Sequence, residues 1–237
     1  MRPAPQAIRF QGVSFTYKDP EGNASFQVGP IDGEVRRGEI LFVVGGNGSG
    51  KTSFLKLLTA LYWPAHGGIR VDDVEIGPPN IQSYRNLFSA IFSDFYLFDK
   101  LHGLRNAAPD AVNALLATME LSRKTSFRDG RFTDTRLSTG QRKRLALVVS
   151  YLEDKPVFVF DEVAADQDAH FRGYFYEKLL PELKNTGKTV VVVTHDDRYF
   201  HVADRVLVME YGKLQELSLP GKPAKARRRA PRGPKTP

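Results

Sequence analysis

Eight consecutive residues, Gly45-Gly46-Asn47-Gly48-Ser49-Gly50-Lys51-Thr52, carry the clearest chemistry in this sequence. They satisfy the pattern G-x-x-x-x-G-K-[ST], a loop whose backbone N–H groups converge on a phosphate chain. The apolar run Ile40-Leu41-Phe42-Val43-Val44 precedes the loop as a predicted strand. Ser53-Phe54-Leu55-Lys56-Leu57-Leu58 follows as a predicted helix, whose N-terminal partial charge favours an anion. In such a loop Gly45, Asn47, Gly48, Ser49, Gly50 and Ser53 surround the phosphates and Lys51 reaches the terminal pair. The Thr52 hydroxyl then ligates Mg²⁺.

Three further groups suit the same chemistry. The apolar run Val157-Phe158-Val159-Phe160 ends in Asp161-Glu162. A strand buried on both faces that delivers two carboxylates at its carboxyl end sets them beside the phosphates of a P-loop protein. Asp161 is then placed to hold Mg²⁺, and Glu162 to orient or deprotonate an attacking water. A second run, Val190-Val191-Val192-Val193, ends in Thr194-His195-Asp196-Asp197. His195 therefore opens on the same crevice, where a neutral imidazole can hydrogen-bond the γ-phosphate. Leu137-Ser138-Thr139-Gly140-Gln141 opens a helix with a hydroxyl and backbone donors facing outward, a second anion-binding end. Acidic residues often end strands and Ser or Thr often caps a helix, so neither feature decides alone. Their order along one chain does.

The elements that must hold these residues read as α/β. Ile8 to Tyr17 alternates as a half-buried strand, a second strand lies near Ser25–Val28, and Ile69–Ile76 suggests a hairpin turning at Asp72-Asp73. From about 81 to 152 helical patterns dominate, at Ala111–Glu120 and Gly140–Tyr151, and predict a helical insertion. The helix predicted over Phe171–Leu183 joins the two buried runs into a βαβ unit, and a hairpin around Tyr211-Gly212 closes the body.

Composition sets the remaining bounds. At 237 residues and 41% apolar the chain can build a substantial core, and without cysteine it has neither disulfides nor thiolate metal sites, which fits a reducing cytoplasm. No apolar run approaches the roughly 20 residues that span a bilayer. The net charge of +7 arises in the terminal Pro/Ala/Arg-rich segment 218–237, which has seven basic residues and no acidic one. The rest balances 27 basic against 27 acidic residues, so the body offers no charge argument for nucleic acid. A segment of this composition is expected to be a disordered tail.

The ordered set of P-loop, Leu137–Gln141, Asp161-Glu162 and His195 resembles the nucleotide-binding domain of ATP-binding cassette (ABC) transporters, over roughly residues 8–217. The resemblance implies a P-loop ATPase with a parallel core sheet, an antiparallel β-subdomain and an inserted α-helical subdomain. Leu137–Gln141 matches the family's LSGGQ signature, with Thr139 in place of its middle glycine. Asp161 matches the magnesium carboxylate, Glu162 the catalytic glutamate, and His195 the switch histidine. Tyr17 matches the aromatic residue that stacks on adenine. Ala165-Asp166-Gln167-Asp168 occupies the D-loop, usually Ser-Ala-Leu-Asp, so Asp168 aligns with the family aspartate. Where the family carries a glutamine that touches Mg²⁺ and couples to the membrane domain, this chain has Ser93 followed by Asp94, so Ser93 is the corresponding metal-side residue.

The family pattern implies ATP and Mg²⁺ as ligands and a head-to-tail dimer. In it Ser138, Gly140 and Gln141 of one copy complete the γ-phosphate cage of the other. It also implies a transmembrane permease domain, in the same or a separate chain, and a peripheral place on the cytoplasmic face of the inner (plasma) membrane. The segments 88–99, 161–168 and 194–200 are similar to the bacterial branch that exports cyclic peptides, lipopeptides and peptide siderophores. The competing expectations are a non-transport cassette acting on nucleic acid or ribosomes and a regulatory subunit without turnover. No long coiled coil separates P-loop and signature and only one cassette is present, which disfavours the first; Glu162 and His195 disfavour the second. No N-K-x-D motif reads guanine.

Overall fold

The computed structural model describes residues 5–101, 103–104 and 107–218. The expected basic tail therefore lies outside the described residues but for Ser218.

The core is a six-stranded sheet in the order β12-β11-β3-β10-β9-β6, formed by Lys213–Leu217, Arg205–Glu210, Ile40–Val44, Thr189–Val193, Val157–Asp161 and Phe88–Ile91. Every neighbouring pair is parallel except β11 with β12, the hairpin expected at Tyr211-Gly212. The three central strands are buried on both faces, and their side chains divide by the two-residue period of a strand. Ile40, Phe42, Phe158, Phe160, Val190 and Val192 enter one apolar cluster. Leu41, Val43, Val157, Val159, Val191 and Val193 enter the other.

On the second face lies α1 (Lys51–Leu58), covered in turn by an antiparallel sheet in the order β2-β1-β4-β5. Those strands are Ala24–Arg36, Ala7–Lys18, His66–Val71 and Val74–Glu75. Phe54, Leu55, Leu57 and Leu58 of α1 share a cluster with Ile8, Phe10 and Ile69 of this sheet and with Leu41 and Val193 of the core. The helix at the base of the phosphate loop is thus clamped between two sheets. A five-residue α2 (Ile81–Arg85) leads into β6, and buried Tyr84 donates its hydroxyl to the Leu58 carbonyl, 2.5 Å, at the end of α1.

The other face is packed by α4 (Thr139–Glu153), α3 (Pro109–Thr118), a small hairpin β7–β8 (Phe127–Arg128 and Arg131–Phe132) and the long helix that follows β9. That last helix is continuous from α5 (Ala169–Tyr174) through a π-helical stretch, Phe175–Leu179, into α6 (Leu180–Asn185). Pro181 sits in the first turn of α6 immediately after the stretch, where the missing N–H of a proline is one cause of local rearrangement of the hydrogen-bond ladder.

The region expected to be helical from about residue 81 also donates β6, paired with β9, to the core sheet. Phe88-Ser89-Ala90-Ile91 is too short to show a period, and only the edge of β9 makes it a strand. The expected burial stripe of α4 widens as well: Lys143 and Arg144 are buried with Leu145, Ala146, Leu147 and Val148.

Because Leu55 is wholly buried between the two sheets, Leu55→Ala is expected to lower unfolding free energy by about 2–5 kcal/mol. Urea unfolding followed by circular dichroism measures this; a loss of under about 1 kcal/mol would place α1 outside the shared core.

Candidate nucleotide site

Val43, Val193 and Asp161 stand side by side across β3, β10 and β9. Because the three strands end level, Gly45, His195 and Glu162, one or two residues further on, leave the sheet at one edge. This is the carboxyl-end crevice at which open α/β sheets bind ligands.

The phosphate loop begins at Gly45, whose φ of 146° suits glycine. A Cβ there would come 2.1 Å from the Met209 carbonyl of β11, and backbone cannot yield as a side chain can. Gly46, Asn47 and Gly48 form the exposed tip, while Ser49 and Gly50 are buried, with Gly50 at φ 108° opening α1. Lys51 folds back across the loop, donating to the carbonyls of Gly45 at 2.9 Å and Gly46 at 3.0 Å. Burial pushes its ammonium pKa down, opposed by the negative charges of Glu162 and Asp161. The ammonium is held in the mouth of the loop by neutral carbonyls, which a phosphate would replace with full negative charge. The Ser49 hydroxyl is buried without a hydrogen-bond partner.

Asp161 is 1% exposed. Its Oδ2 accepts from the Thr52 hydroxyl at 2.8 Å and the Ser93 hydroxyl at 3.4 Å, while its Oδ1 is buried with no hydrogen-bond partner among the described residues. Burial raises its pKa, the Thr52 bond lowers it, and the neighbouring Glu162 charge raises it further. An orphaned carboxylate oxygen beside two hydroxyls is an oxygen-only donor set, which fits a hard cation such as Mg²⁺. Among the described residues no cluster of three His, Cys, Asp or Glu side chains could hold a metal unaided. A cation here would therefore share its shell with phosphate oxygens and water.

Glu162 adopts φ 54°, a left-handed conformation uncommon for a residue with a side chain. Its carboxylate lies 3.0 Å from His195 Nε2. Its backbone N–H donates to the Val193 carbonyl of β10 at 3.2 Å, and its own carbonyl accepts from Lys143 Nζ at 2.7 Å. The two residues expected to act on the terminal phosphate and on water thus face one another.

Tyr17, at the end of β1, is half-buried and places its hydroxyl 2.8 Å from Ser53 Oγ. Its ring meets Phe15 and Tyr62 edge-on, with centroids 5.1 and 5.9 Å away. Desolvation raises its pKa, and the Ser53 hydrogen bond opposes that. The bond anchors the aromatic cluster to the first turn of α1 and engages the Ser53 hydroxyl, which the loop pattern had directed at phosphate.

The signature stretch caps α4. The Ser138 hydroxyl accepts from the Gln141 backbone N–H at 3.4 Å, and Gln141 Oε1 accepts from the Ser138 backbone N–H at 3.2 Å, a reciprocal capping box. The Gln141 side chain is therefore turned onto the cap, while Ser138 and Thr139 remain exposed. Among the described residues, none of Ser138, Gly140 and Gln141 hydrogen-bonds to the phosphate loop.

Gly140 packs against the loop after Glu162: a Cβ would come 2.6 Å from the Asp166 carbonyl, and the Gln167 side-chain amide donates to the Gly140 carbonyl at 3.0 Å. Arg144 grips the same loop, through Gln167 Oε1 at 2.8 Å and Asp168 Oδ2 at 2.5 Å, and also pairs with Glu120. Asp168 caps α5 through the Phe171 N–H, and that bond, with Arg144, lowers its pKa. The sequence motifs do not point to Lys143 and Arg144. The signal that could have found them is two basic residues three or four positions before Leu147 on the apolar side of α4.

Known proteins resemble this chain in sequence and in fold. Residues 28–165 match the ABC transporter family. The chain belongs to that family. A curated relative, "ATP-binding protein SyrD" of Pseudomonas syringae pv. syringae, is 44% identical over 210 residues, covering 87% of this chain and 37% of that protein. An "ATP-dependent lipid A-core flippase" of Burkholderia pseudomallei is 32% identical over 227 residues, covering 89% of this chain and again 37% of the relative. The chain thus spans little more than a third of the length of these relatives.

Solved structures agree on the fold. A bacterial Atm1-family ABC exporter with ATP bound superposes with a TM-score of 0.74 at 22% identity, over 91% of this chain and 39% of that one. A post-hydrolysis dimer of the ATP-binding cassette MJ0796, bound to ADP and Pi, has the same TM-score and identity over 90% of this chain and 99% of that one. The expected fold class holds: a parallel core sheet with an antiparallel β layer and an attached helical region.

Gly45→Ala is expected to collide with the β11 backbone and to weaken binding of a fluescent-labelled ATP analogue by at least about tenfold, with overpacking strain of about 1–3 kcal/mol. Titration by fluorescence anisotropy checks this, and unaltered affinity would show that the loop absorbs a side chain at 45.

Proposed function

We propose that this chain binds Mg²⁺–ATP at the edge of the parallel sheet and hydrolyses it. Two copies would meet head to tail, each completing the other's site. The observation that carries the reading is the level ending of β3, β10 and β9, which gathers Lys51, Asp161, Glu162 and His195 at one edge.

In this reading the backbone of Gly45–Thr52, with Lys51, holds the phosphate chain. The loop N–H groups and the start of α1 supply donors that need no reorganisation. Thr52 and Asp161 would hold Mg²⁺, with Ser93 beside Asp161; the ion would supply charge neutralisation across the phosphate oxygens. Glu162 takes the attacking water's proton or orients it, and His195, in contact with the Glu162 carboxylate, hydrogen-bonds the departing γ-phosphate. Tyr17 offers its ring to adenine, with Asn47, Gly48, Ser49, Gly50 and Ser53 around the phosphates. The exposed Ser138, with Gly140 and Gln141 behind it, addresses the ATP of a second copy. The exposure of Ser138 and Thr139 at the start of the helix supports a role in trans.

ATP-driven closure of such a dimer would do work on a transmembrane permease domain, in the same or another chain. No helix among the described residues is long and apolar enough to cross a membrane. The cassette would then sit at the cytoplasmic face of the inner (plasma) membrane. Export of cyclic peptides, lipopeptides or peptide siderophores is the transport reading, supported by the similarity of 88–99, 161–168 and 194–200 to that branch. Nucleic acid is not an expected partner, and the charge-balanced body supports this.

Glu162→Gln is expected to keep ATP binding, to lower turnover by at least about a hundredfold, and to accumulate an ATP-bound dimer on size-exclusion chromatography. Wild-type turnover in that variant would remove Glu162 from the reaction. Ser138→Arg should leave monomer affinity for ATP within about twofold while abolishing ATP-dependent dimerisation. Loss of monomer binding would instead place Ser138 in the chain's own site.

A further inference from the structure

Lys143 has no part in the site as proposed, yet it is among the most deeply enclosed charges in the chain. Its side chain is 5% exposed, one turn into the helix that Ser138 caps. The ammonium touches two oxygens of the neighbouring segment, the Glu162 carbonyl at 2.7 Å and Asp166 Oδ2 at 2.6 Å. A buried ammonium is costly unless its partners are well placed, and here one partner is the backbone of the proposed base.

That backbone is in an unusual state. Glu162 has a positive φ of 54° directly after the last residue of β9, a conformation that steric contact with Cβ disfavours. The turn brings the Glu162 carboxylate to His195 and sends the Glu162 carbonyl to Lys143. The next stretch is fixed twice over: within the loop the Ala165 N–H also donates to the Glu162 carbonyl at 3.2 Å, and from the helix Gly140 packs against the Asp166 carbonyl. A strained residue persists only where its surroundings over-determine it. Lys143 is the charged group that does so at Glu162.

We propose that Lys143 is a positioning residue for the hydrolytic reaction, holding Glu162 in the left-handed conformation from which its carboxylate meets His195. The inference rests on Glu162 acting as proposed above. A charge-assisted hydrogen bond to the carbonyl stabilises the turned peptide, and the ion pair with Asp166 keeps the ammonium from leaving it. Without the ammonium, the peptide at 162 relaxes toward the ordinary region and the carboxylate leaves its place. Neither the phosphate loop nor Asp161 is touched by this change, so binding and turnover separate.

The test uses the whole chain and compares wild type, Lys143→Met, Lys143→Gln and Glu162→Gln by steady-state ATPase and by titration with a fluorescent ATP analogue. Lys143→Met keeps most of the aliphatic stem but ends one atom short of the ammonium and donates no hydrogen bond, and it is expected to lower kcat by roughly ten- to a hundredfold, with KM and analogue affinity within about twofold. Lys143→Gln removes the buried charge but keeps a polar end that falls about one bond short of the carbonyl; it is expected to lower kcat at least about fivefold. In single turnover, Lys143→Met added to Glu162→Gln should cost no further rate, because both act through one carboxylate.

Wild-type kcat in Lys143→Gln overturns the inference, whether or not Lys143→Met folds. So does an undiminished further loss in the double variant, or a fall in analogue affinity matching the fall in kcat. If the wild-type chain turns over and Glu162→Gln is equally active, the reading of Glu162 itself has failed. If only the Lys143 variants keep full turnover, the failure belongs to this inference alone.

Discussion

Three parallel strands that end level are the constraint on which the rest of this structure depends. Pairing in register sets Val43, Val193 and Asp161 in one row. The phosphate loop, His195 and the Asp161-Glu162 pair then follow within two residues of that row. Because the side-chain period of a strand is two, a one-residue slip of β9 would exchange the clusters that Phe158 and Val159 enter and move Asp161 away from Thr52. The two clusters are packed for different volumes, Phe158 and Phe160 on one side and Val157 and Val159 on the other, so such a slip costs repacking of both. The geometry of the proposed site is therefore held by the apolar packing of the strands beneath it.

The site is organised around polar groups left incompletely satisfied. Among the described residues Asp161 Oδ1 and the Ser49 hydroxyl are buried without hydrogen-bond partners, and Lys51 hydrogen-bonds to two loop carbonyls. Such groups cost stability in a ligand-free fold and are common where a ligand restores the missing bonds. The Thr52–Asp161 contact shows two expected Mg²⁺ ligands already preorganised by one another. Glu162 and His195 likewise meet side chain to side chain, 3.0 Å apart across two strand ends.

The signature helix and the loop that follows β9 form a second rigid unit. Gly140 admits the Asp166 carbonyl, Gln167 returns a hydrogen bond to Gly140, and Arg144 holds Gln167, Asp168 and Glu120 together while lying over the Phe171 ring at 3.9 Å. A motif that reads along the sequence as a helix cap is also half of a loop–helix clasp. Ser138 and Gln141 share the capping of the helix through reciprocal hydrogen bonds, and Ser138 does so from an exposed position.

Much of this was legible in the chain itself. The phosphate loop announced its strand and helix because glycine, lysine and threonine at those spacings have a local reason to be there. The three apolar runs announced themselves as buried strands, and the carboxylates and histidine at their ends followed. Local chemistry and apolar periodicity determine those features, so one sequence suffices. Tertiary structure alone decided that Phe88–Ile91 joins the sheet, that Ser53 bonds Tyr17, that Lys143 and Arg144 turn inward, and that Glu162 takes a left-handed backbone. Each depends on a partner far away in the chain: an open strand edge, an aromatic ring, a loop carbonyl. No period or propensity within the segment encodes that partner, because the energy that selects the conformation comes from the contact itself.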